Sequence, residues 1–183
     1  MKRAVFLDRD GTINLKKHTY ITEPDQFDLI PGVAEAIGAL REAGYLAVLA
    51  TNQSAVARGL VTPEGLDAIH ERMNELLGAP LDALYACLHY RDGSVAEFAV
   101  PCECRKPLPG MLLRAAREHG IDLRASVFVG DAVRDLRAGR AAGTRTVLVR
   151  TGSGEEALRW ATPDLYDRVA GDLSDAGRWI LGR

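Results

Sequence analysis

The sequence predicts an α/β fold, a doubly wound and mostly parallel sheet of the Rossmann-like kind with helices on both faces. Three observations point to it. Short β-branched apolar runs alternate with longer amphipathic stretches, glycines close the amphipathic stretches, and acids or hydroxyl residues close several of the apolar runs. Open sheets of this kind bind ligands beyond the carboxyl ends of their strands, so the residues that end the apolar runs are the first candidates for chemistry.

The elements follow in order. Ala4 to Asp8 reads as a buried strand ending on an acid. Gly32 to Ala43 reads as a helix with Val33, Ile37 and Leu40 on one face and Gly44 as its stop. Tyr45 to Ala50 is a second strand leading into Thr51-Asn52. Thr62 caps, and Pro63 opens, a helix running to about Leu77. Leu84 to Leu88 is a third strand, and Pro109 to His119 a helix stopped by Gly120. Val127 to Val129 is a fourth strand that ends at Gly130-Asp131, followed by a helix to about Ala142 and a fifth strand at Thr146 to Val149. The tail from Asp167 to Arg183 reads as a short strand and a final helix. His70 and His119 fall in helices and are expected on the surface; His18 falls in a flap, Leu15 to Phe27, where it could touch substrate.

Composition narrows the class. The chain has 183 residues, 47% of them hydrophobic and 26% charged, which fits one domain spanning 1–183. A formal net charge of −2 argues against a nucleic-acid partner. No apolar stretch approaches the roughly 20 residues of a membrane span, and no secretory leader follows Met1. The expectation is a cytoplasmic monomer acting on a small molecule, with its three cysteines reduced.

Asp8-Arg9-Asp10-Gly11-Thr12 carries the chemistry. A carboxylate can attack phosphorus through an aspartyl-phosphate intermediate, which makes Asp8 the nucleophile. Asp10 can protonate the leaving alkoxide and then deprotonate the attacking water. By itself the pair also suits a turn in which Asp residues satisfy backbone groups. Asp131 and Asp135 supply a second acidic group, and acids beside a phosphate call for a hard cation such as magnesium. The expected ligands are Asp8, Asp131 and the backbone carbonyl of Asp10, with Asp135 behind them. Asp131 would equally serve as a helix N-cap and Asp135 as a first-turn partner of the helix dipole. Thr51, Asn52 and Gln53 form a candidate phosphate cradle, although Thr51 or Ser54 could simply cap a helix. Lys106 can neutralise Asp8 and the transferring phosphoryl group, and Arg105 can hold a substrate phosphate.

Cys87-Leu88-His89 and Cys102-Glu103-Cys104 present three thiolates and an imidazole across a loop at 87–104. That donor set suits closed, structural tetrahedral zinc. The alternative is a set of small core thiols, which the polar loop from Arg91 to Ala99 argues against.

The order of acidic pair, Thr, Lys and Gly-Asp acidic pair resembles the four motifs of the haloacid dehalogenase-like phosphatases. Phe6-Leu7-Asp8-Arg9-Asp10-Gly11-Thr12-Ile13-Asn14 is similar to their first motif. Thr51-Asn52-Gln53-Ser54 with Ala57-Arg58-Gly59 resembles the branch of D-glycero-D-manno-heptose 1,7-bisphosphate phosphatases and histidinol phosphatases. The similarity runs from about Val5 to Gly152. It implies a zinc loop on Cys87, His89, Cys102 and Cys104 that shapes the pocket. It also implies removal of the 7-phosphate of the heptose bisphosphate, on the way to nucleotide-activated heptose for lipopolysaccharide. Histidinol phosphate or another sugar phosphate is the alternative substrate. The spacing leaves no room for a separate cap domain, which also disfavours a phosphotransferase that shields its intermediate from water. Ala132 departs from the branch, where a cation often follows the fourth-motif acid, and Arg134 is the nearest substitute. A receiver-type module would place its acids differently, and a zinc-knuckle interaction protein would need none of Asp8, Asp10 and Asp131.

Overall fold

The computed structural model describes residues 1–17 and 19–182. His18 of the flap, given a place near substrate above, lies outside the described residues, as does Arg183. In chain order the elements are β1 (Arg3–Leu7), α1 (Val33–Glu42), β2 (Tyr45–Asn52), α2 (Pro63–Leu77), β3 (Ala83–Cys87), α3 (Gly110–His119) and β4 (Val127–Gly130). There follow α4 (Val133–Ala142), β5 (Arg145–Val149), the short α5 (Gly154–Ala157), β6 (Arg168–Ala170) and α6 (Leu173–Leu181). One-turn 3-10 segments at Pro24–Gln26 and Pro163–Leu165, together with α5, were not anticipated; each is too short to show a periodicity.

The strands form one sheet in the order β3-β2-β1-β4-β5-β6. Every pairing is parallel, so the expected "mostly parallel" sheet is wholly so among the described residues. The order reverses between β1 and β4, which opens a crevice at their carboxyl ends. Register brings the two edges of that crevice level, because Leu7 pairs with both Leu49 and Val129. Asp8 and Asp131 therefore leave their strands side by side.

Alternation along β1 shows how the layers are held. Val5 and Leu7 pack with Val33, Ile37 and Leu40 of α1, Ile69 and Met73 of α2, and Leu173 and Ile180 of α6. Ala4 and Phe6 face the other way, onto Met111, Leu112 and Ala115 of α3 and Ala138 of α4. A strand buried on both faces cannot alternate apolar with polar, which is why β1 reads as a continuous apolar run. Thr62 caps α2 as expected, accepting from the Gly65 N–H at 3.1 Å. Between β1 and β2 the described residues hold only the flap, a 3-10 turn and α1, so no cap domain is inserted there. No helix among the described residues is long and apolar enough to cross a membrane.

Candidate active site

The loop after β1 is a tight turn. The Arg9 carbonyl accepts from the N–H groups of Thr12, Ile13 and Asn14, and the Gly11 N–H bonds back to the Asn14 carbonyl. Gly11 has φ +89°, and a Cβ there would collide with the Asp131 carboxylate and the Gly152 backbone. Glycine is therefore required both for the left-handed conformation and for the close approach. The turn sets Asp8 against Asp131 and Asp135, and one carboxylate oxygen from each of the three lies within 4.8 Å of the others.

Lys106 sits among these acids. Its Nζ is 2.9 Å from Asp8 Oδ1 and 2.7 Å from Asp135 Oδ1, and all three side chains are buried. Burial pushes the Asp8 carboxyl up, but Lys106, Arg134 and the Arg9 N–H hold it below the usual carboxylate value. Burial lowers the Lys106 ammonium, and Asp135 and Asp8 outweigh it, so it stays charged. Asp135 is raised by burial and by Asp8, with Lys106 opposing. Asp131 is pushed up to about 6, first by burial and then by Asp8 and Asp135. One Asp131 oxygen, Oδ2, accepts from the Ser153 N–H at 2.8 Å. The other, Oδ1, is buried with no hydrogen-bond partner among the described residues. A bare buried carboxylate oxygen beside two further carboxylates is what a hard cation needs, so the donor set fits magnesium.

The structure gives several expected residues different work. The capping bond at the start of α4 comes from Asp135, which accepts from the Ala132 N–H at 3.0 Å; Asp131 does not cap. No helix starts at Thr51 or Ser54, because β2 runs through Asn52 and the next helix begins at Pro63. Asn52, expected to bind substrate, uses both ends of its amide to clamp the backbone N–H and carbonyl of Lys106, each at 3.1 Å. Gln53, also expected to bind substrate, is buried and donates to Asp10 Oδ2 at 3.2 Å and Thr51 Oγ1 at 2.9 Å. Thr51 keeps its own hydroxyl proton free to donate. Asp10 lines an open cleft of about 790 Å³ together with Asn52, Ser54, Arg105 and Arg134.

Some residues had no assigned role and belong to the site. Arg9 is buried and grips Asp10: Nη2 lies 3.0 Å from both carboxylate oxygens and Nε 3.2 Å from Oδ1. Asn14 Nδ2 adds a bond to Asp10 Oδ1 at 3.1 Å. Lys16 reaches Asp131 Oδ2 at 3.5 Å and so brings a cation to the fourth-motif acid, whose neighbour Ala132 has none. His70, expected on the surface, is 4% exposed. The spacing held the sign: Leu66, Ile69, His70 and Met73 recur at 3, 4 and 7 residues, which puts His70 on the buried stripe of α2. Burial, then Arg9, lowers the imidazole to about 3 against a smaller opposing pull from Asp10. His119 is half-buried, with its ring edge-on to Tyr85.

The cysteine cluster forms as its spacing implies. Cys87, the last residue of β3, is fully buried, whereas Cys102 and Cys104 are half-buried. One donor atom from each of Cys87, His89, Cys102 and Cys104 falls within 4.8 Å of the others. His89 Nδ1 lies 3.3 Å from Cys104 Sγ. The Cys87 thiol is pushed up by its hydrogen bond with Cys104 and then by burial. Cys104 is lowered to about 5, chiefly by the same bond. Three sulfurs and an imidazole nitrogen fit a tetrahedral thiophilic metal such as zinc. Arg105 is tied to this loop: Nη1 donates to the His89 carbonyl at 3.0 Å, and the guanidinium lies 5.0 Å from the Tyr90 ring centroid. The loop is itself docked on the turn after β2 through the Val95 N–H to the Ala57 carbonyl.

The chain is similar to known proteins. The HAD-hydrolase-like family model matches residues 103–176. The chain is 50% identical over 173 residues to the D-glycero-beta-D-manno-heptose-1,7-bisphosphate 7-phosphatase of Yersinia pestis, covering 90% of this chain and 92% of that one. It is 44% identical to the protein of the same name in Escherichia coli K12, covering 90% of each. The solved structure of D,D-heptose 1,7-bisphosphate phosphatase from B. bronchiseptica, complexed with magnesium and phosphate, superposes with a TM-score of 0.88 at 38% identity and 98% coverage of both chains. The corresponding Burkholderia thailandensis structure gives 0.72 at 34% identity, covering 100% of both. At this identity, over nine-tenths of its length, the chain belongs to the D-glycero-β-D-manno-heptose-1,7-bisphosphate 7-phosphatase family of the haloacid dehalogenase-like hydrolases.

Proposed function

We propose that the protein hydrolyses the 7-phosphate of D-glycero-β-D-manno-heptose 1,7-bisphosphate, with Asp8 as the nucleophile, in the supply of nucleotide-activated heptose for lipopolysaccharide. The observation that carries the reading is the buried array of Asp8, Lys106, Asp131 and Asp135 at the switch point of the sheet, in a chain half identical to phosphatases of that name.

Asp8 is ionised and faces Lys106, so its carboxylate is ready to attack phosphorus. As the P–O bond to the sugar breaks, the proton on Asp10 passes to the departing alkoxide and leaves Asp10 as a carboxylate. Asp10 then takes a proton from water, whose oxygen attacks the phosphorus of the Asp8 acyl phosphate. The phosphorus–Asp8 bond breaks, phosphate leaves, and Asp8 is regenerated. Lys106 balances charge on Asp8 and the transferring group throughout, held in place by the Asn52 clamp on its backbone. Asp8, Asp131 and the Asp10 carbonyl would hold magnesium, which supplies charge neutralisation for the phosphoryl oxygens. Cys87, His89, Cys102 and Cys104 would hold zinc, which stiffens the loop that carries Arg105. Arg105, Arg134, Lys16 and Lys17 line the cleft and suit the second phosphate of a bisphosphate. Thr51 supplies a hydroxyl toward the reacting phosphate.

Phosphate release with magnesium, comparing the β-heptose bisphosphate with histidinol phosphate, tests the reading. Much faster turnover of the bisphosphate, lost in a folded Asp8→Asn protein, is expected. Preference for histidinol phosphate would overturn the substrate, and full activity in Asp8→Asn would overturn the nucleophile.

A further inference from the structure

We infer that His70 is a positioning residue for proton transfer by Asp10, acting through the guanidinium of Arg9. The inference rests on the phosphatase reading with Asp10 as the acid.

Arg9 and His70 form a buried chain that ends on Asp10. Arg9 is 1% exposed, among the largest fully buried side chains of the molecule. One edge of its guanidinium, Nε and Nη2, is bonded to Asp10. The remaining nitrogen, Nη1, lies 3.4 Å from His70 Nε2. The Phe27 ring centroid lies 5.9 Å from the guanidinium carbon. A guanidinium has donors only, so the nitrogen that faces it must offer a lone pair. His70 is then neutral, with its proton on Nδ1.

That arrangement carries a penalty that packing alone would not select. Nδ1 is buried and has no hydrogen-bond partner among the described residues. The other buried positions of the α2 stripe are Leu66, Ile69 and Met73; an apolar side chain at position 70 would remove the orphaned Nδ1 but would strip the buried Arg9 Nη1 of the acceptor it faces. What the histidine adds is a lone pair aimed at Arg9. It fixes the guanidinium plane, and that plane fixes the Asp10 carboxylate. Asn14 and Gln53 complete the cradle from two other directions. Asp10 is left open toward the cleft it lines. The helix after β2 is thereby coupled to the orientation of the acid.

Leaving-group dependence tests the inference, because kcat/KM reports the step that phosphorylates Asp8. An alkyl phosphate needs the Asp10 proton to release its alkoxide, whereas 4-nitrophenyl phosphate releases a stabilised phenolate without one. His70→Leu is expected to lower kcat/KM for the heptose bisphosphate by ~10-fold and for the aryl phosphate by less than ~2-fold, as misorientation of a proton donor would. His70→Gln, which restores a neutral acceptor, is expected to recover most of the alkyl activity. In an Arg9→Met background His70→Leu is expected to add no further selectivity. Asp10→Asn, run in parallel, should show the same dependence more strongly. Equal losses on both substrates in His70→Leu, beside a leaving-group-dependent Asp10→Asn, would overturn the role of His70 alone. Equal losses in Asp10→Asn would overturn the acid assignment and this inference with it. Should His70→Leu fail to fold, His70→Asn, whose amide ends short of Arg9, must show the same selective loss or the inference falls.

Discussion

Replacing Lys106 by methionine keeps the length of the side chain and removes its charge. In the wild type, Nζ sits between Asp8 and Asp135 at 2.9 and 2.7 Å, with the lysine fully buried and the acids nearly so. Methionine would leave two buried carboxylates facing each other, with Arg134 as the cation that remains to compensate them. Breaking a buried pair in this way costs about 3–5 kcal/mol. For a domain of this size that is a fall in Tm of roughly 6–20 °C. The loss should be largest in metal chelator, because magnesium bound at Asp8 and Asp131 would replace part of the missing charge. It should also narrow in acid. The folded-state value of Asp135 is already raised above its ordinary one by burial and Asp8. Without Lys106 it rises further, so protonation relieves the repulsion as pH falls through it. Turnover should drop about 10²–10³-fold, the loss typical of removing one group that stabilises transition-state charge. Thermal melts with and without magnesium from pH 4 to 8, alongside phosphate release, measure all of this. A variant whose Tm in chelator matches the wild type within the error of the melt, and whose kcat is undiminished, would refute the account of the buried array.

Three further outcomes are expected. Cys102→Ser should release the metal of the 87–104 loop and lower Tm more than it lowers intrinsic chemistry, measured by elemental analysis and melting; unchanged metal content would refute the four-donor site. Arg105→Ala should raise KM for the bisphosphate by roughly 10–100-fold, as loss of charged hydrogen bonds would. It should leave a monophosphate nearly unaffected, and equal effects on both would remove Arg105 from the second-phosphate role. Magnesium binding should displace the proton of Asp131, which titrates at about 6 in the metal-free protein. Because that value lies above the ordinary 3.8, the metal-free fold loses stability as pH rises from about 4 to about 6. Magnesium affinity should correspondingly rise about tenfold per pH unit below 6 and level off above it, with proton release visible by calorimetry.

The sequence by itself determined the layered sheet and the centre of the site. β1, β2 and β4 are buried on both faces, so they appear as apolar runs, and the acid or hydroxyl that ends each run is displayed at the ligand-binding edge. Helix limits were equally local: Thr62-Pro63 opens α2, and Gly78, Gly120 and Gly143, all at positive φ, close α2, α3 and α4. The cysteine cluster rested on spacing within one loop. Only the tertiary structure decided which polar side chain meets which. Asn52 and Lys106 are 54 residues apart, Arg9 and His70 61, and Lys16 and Asp131 115. Periodicity can say that His70 lies on a buried stripe, but not that an arginine from another layer waits there. Asn52 and Gln53 looked like substrate ligands because amides at a strand end suit phosphate. In the folded chain Asn52 lines the cleft while its amide also holds the Lys106 backbone, and the buried Gln53 bonds Asp10 and Thr51, since a buried polar group left unpaired costs more than a solvent-facing contact gains.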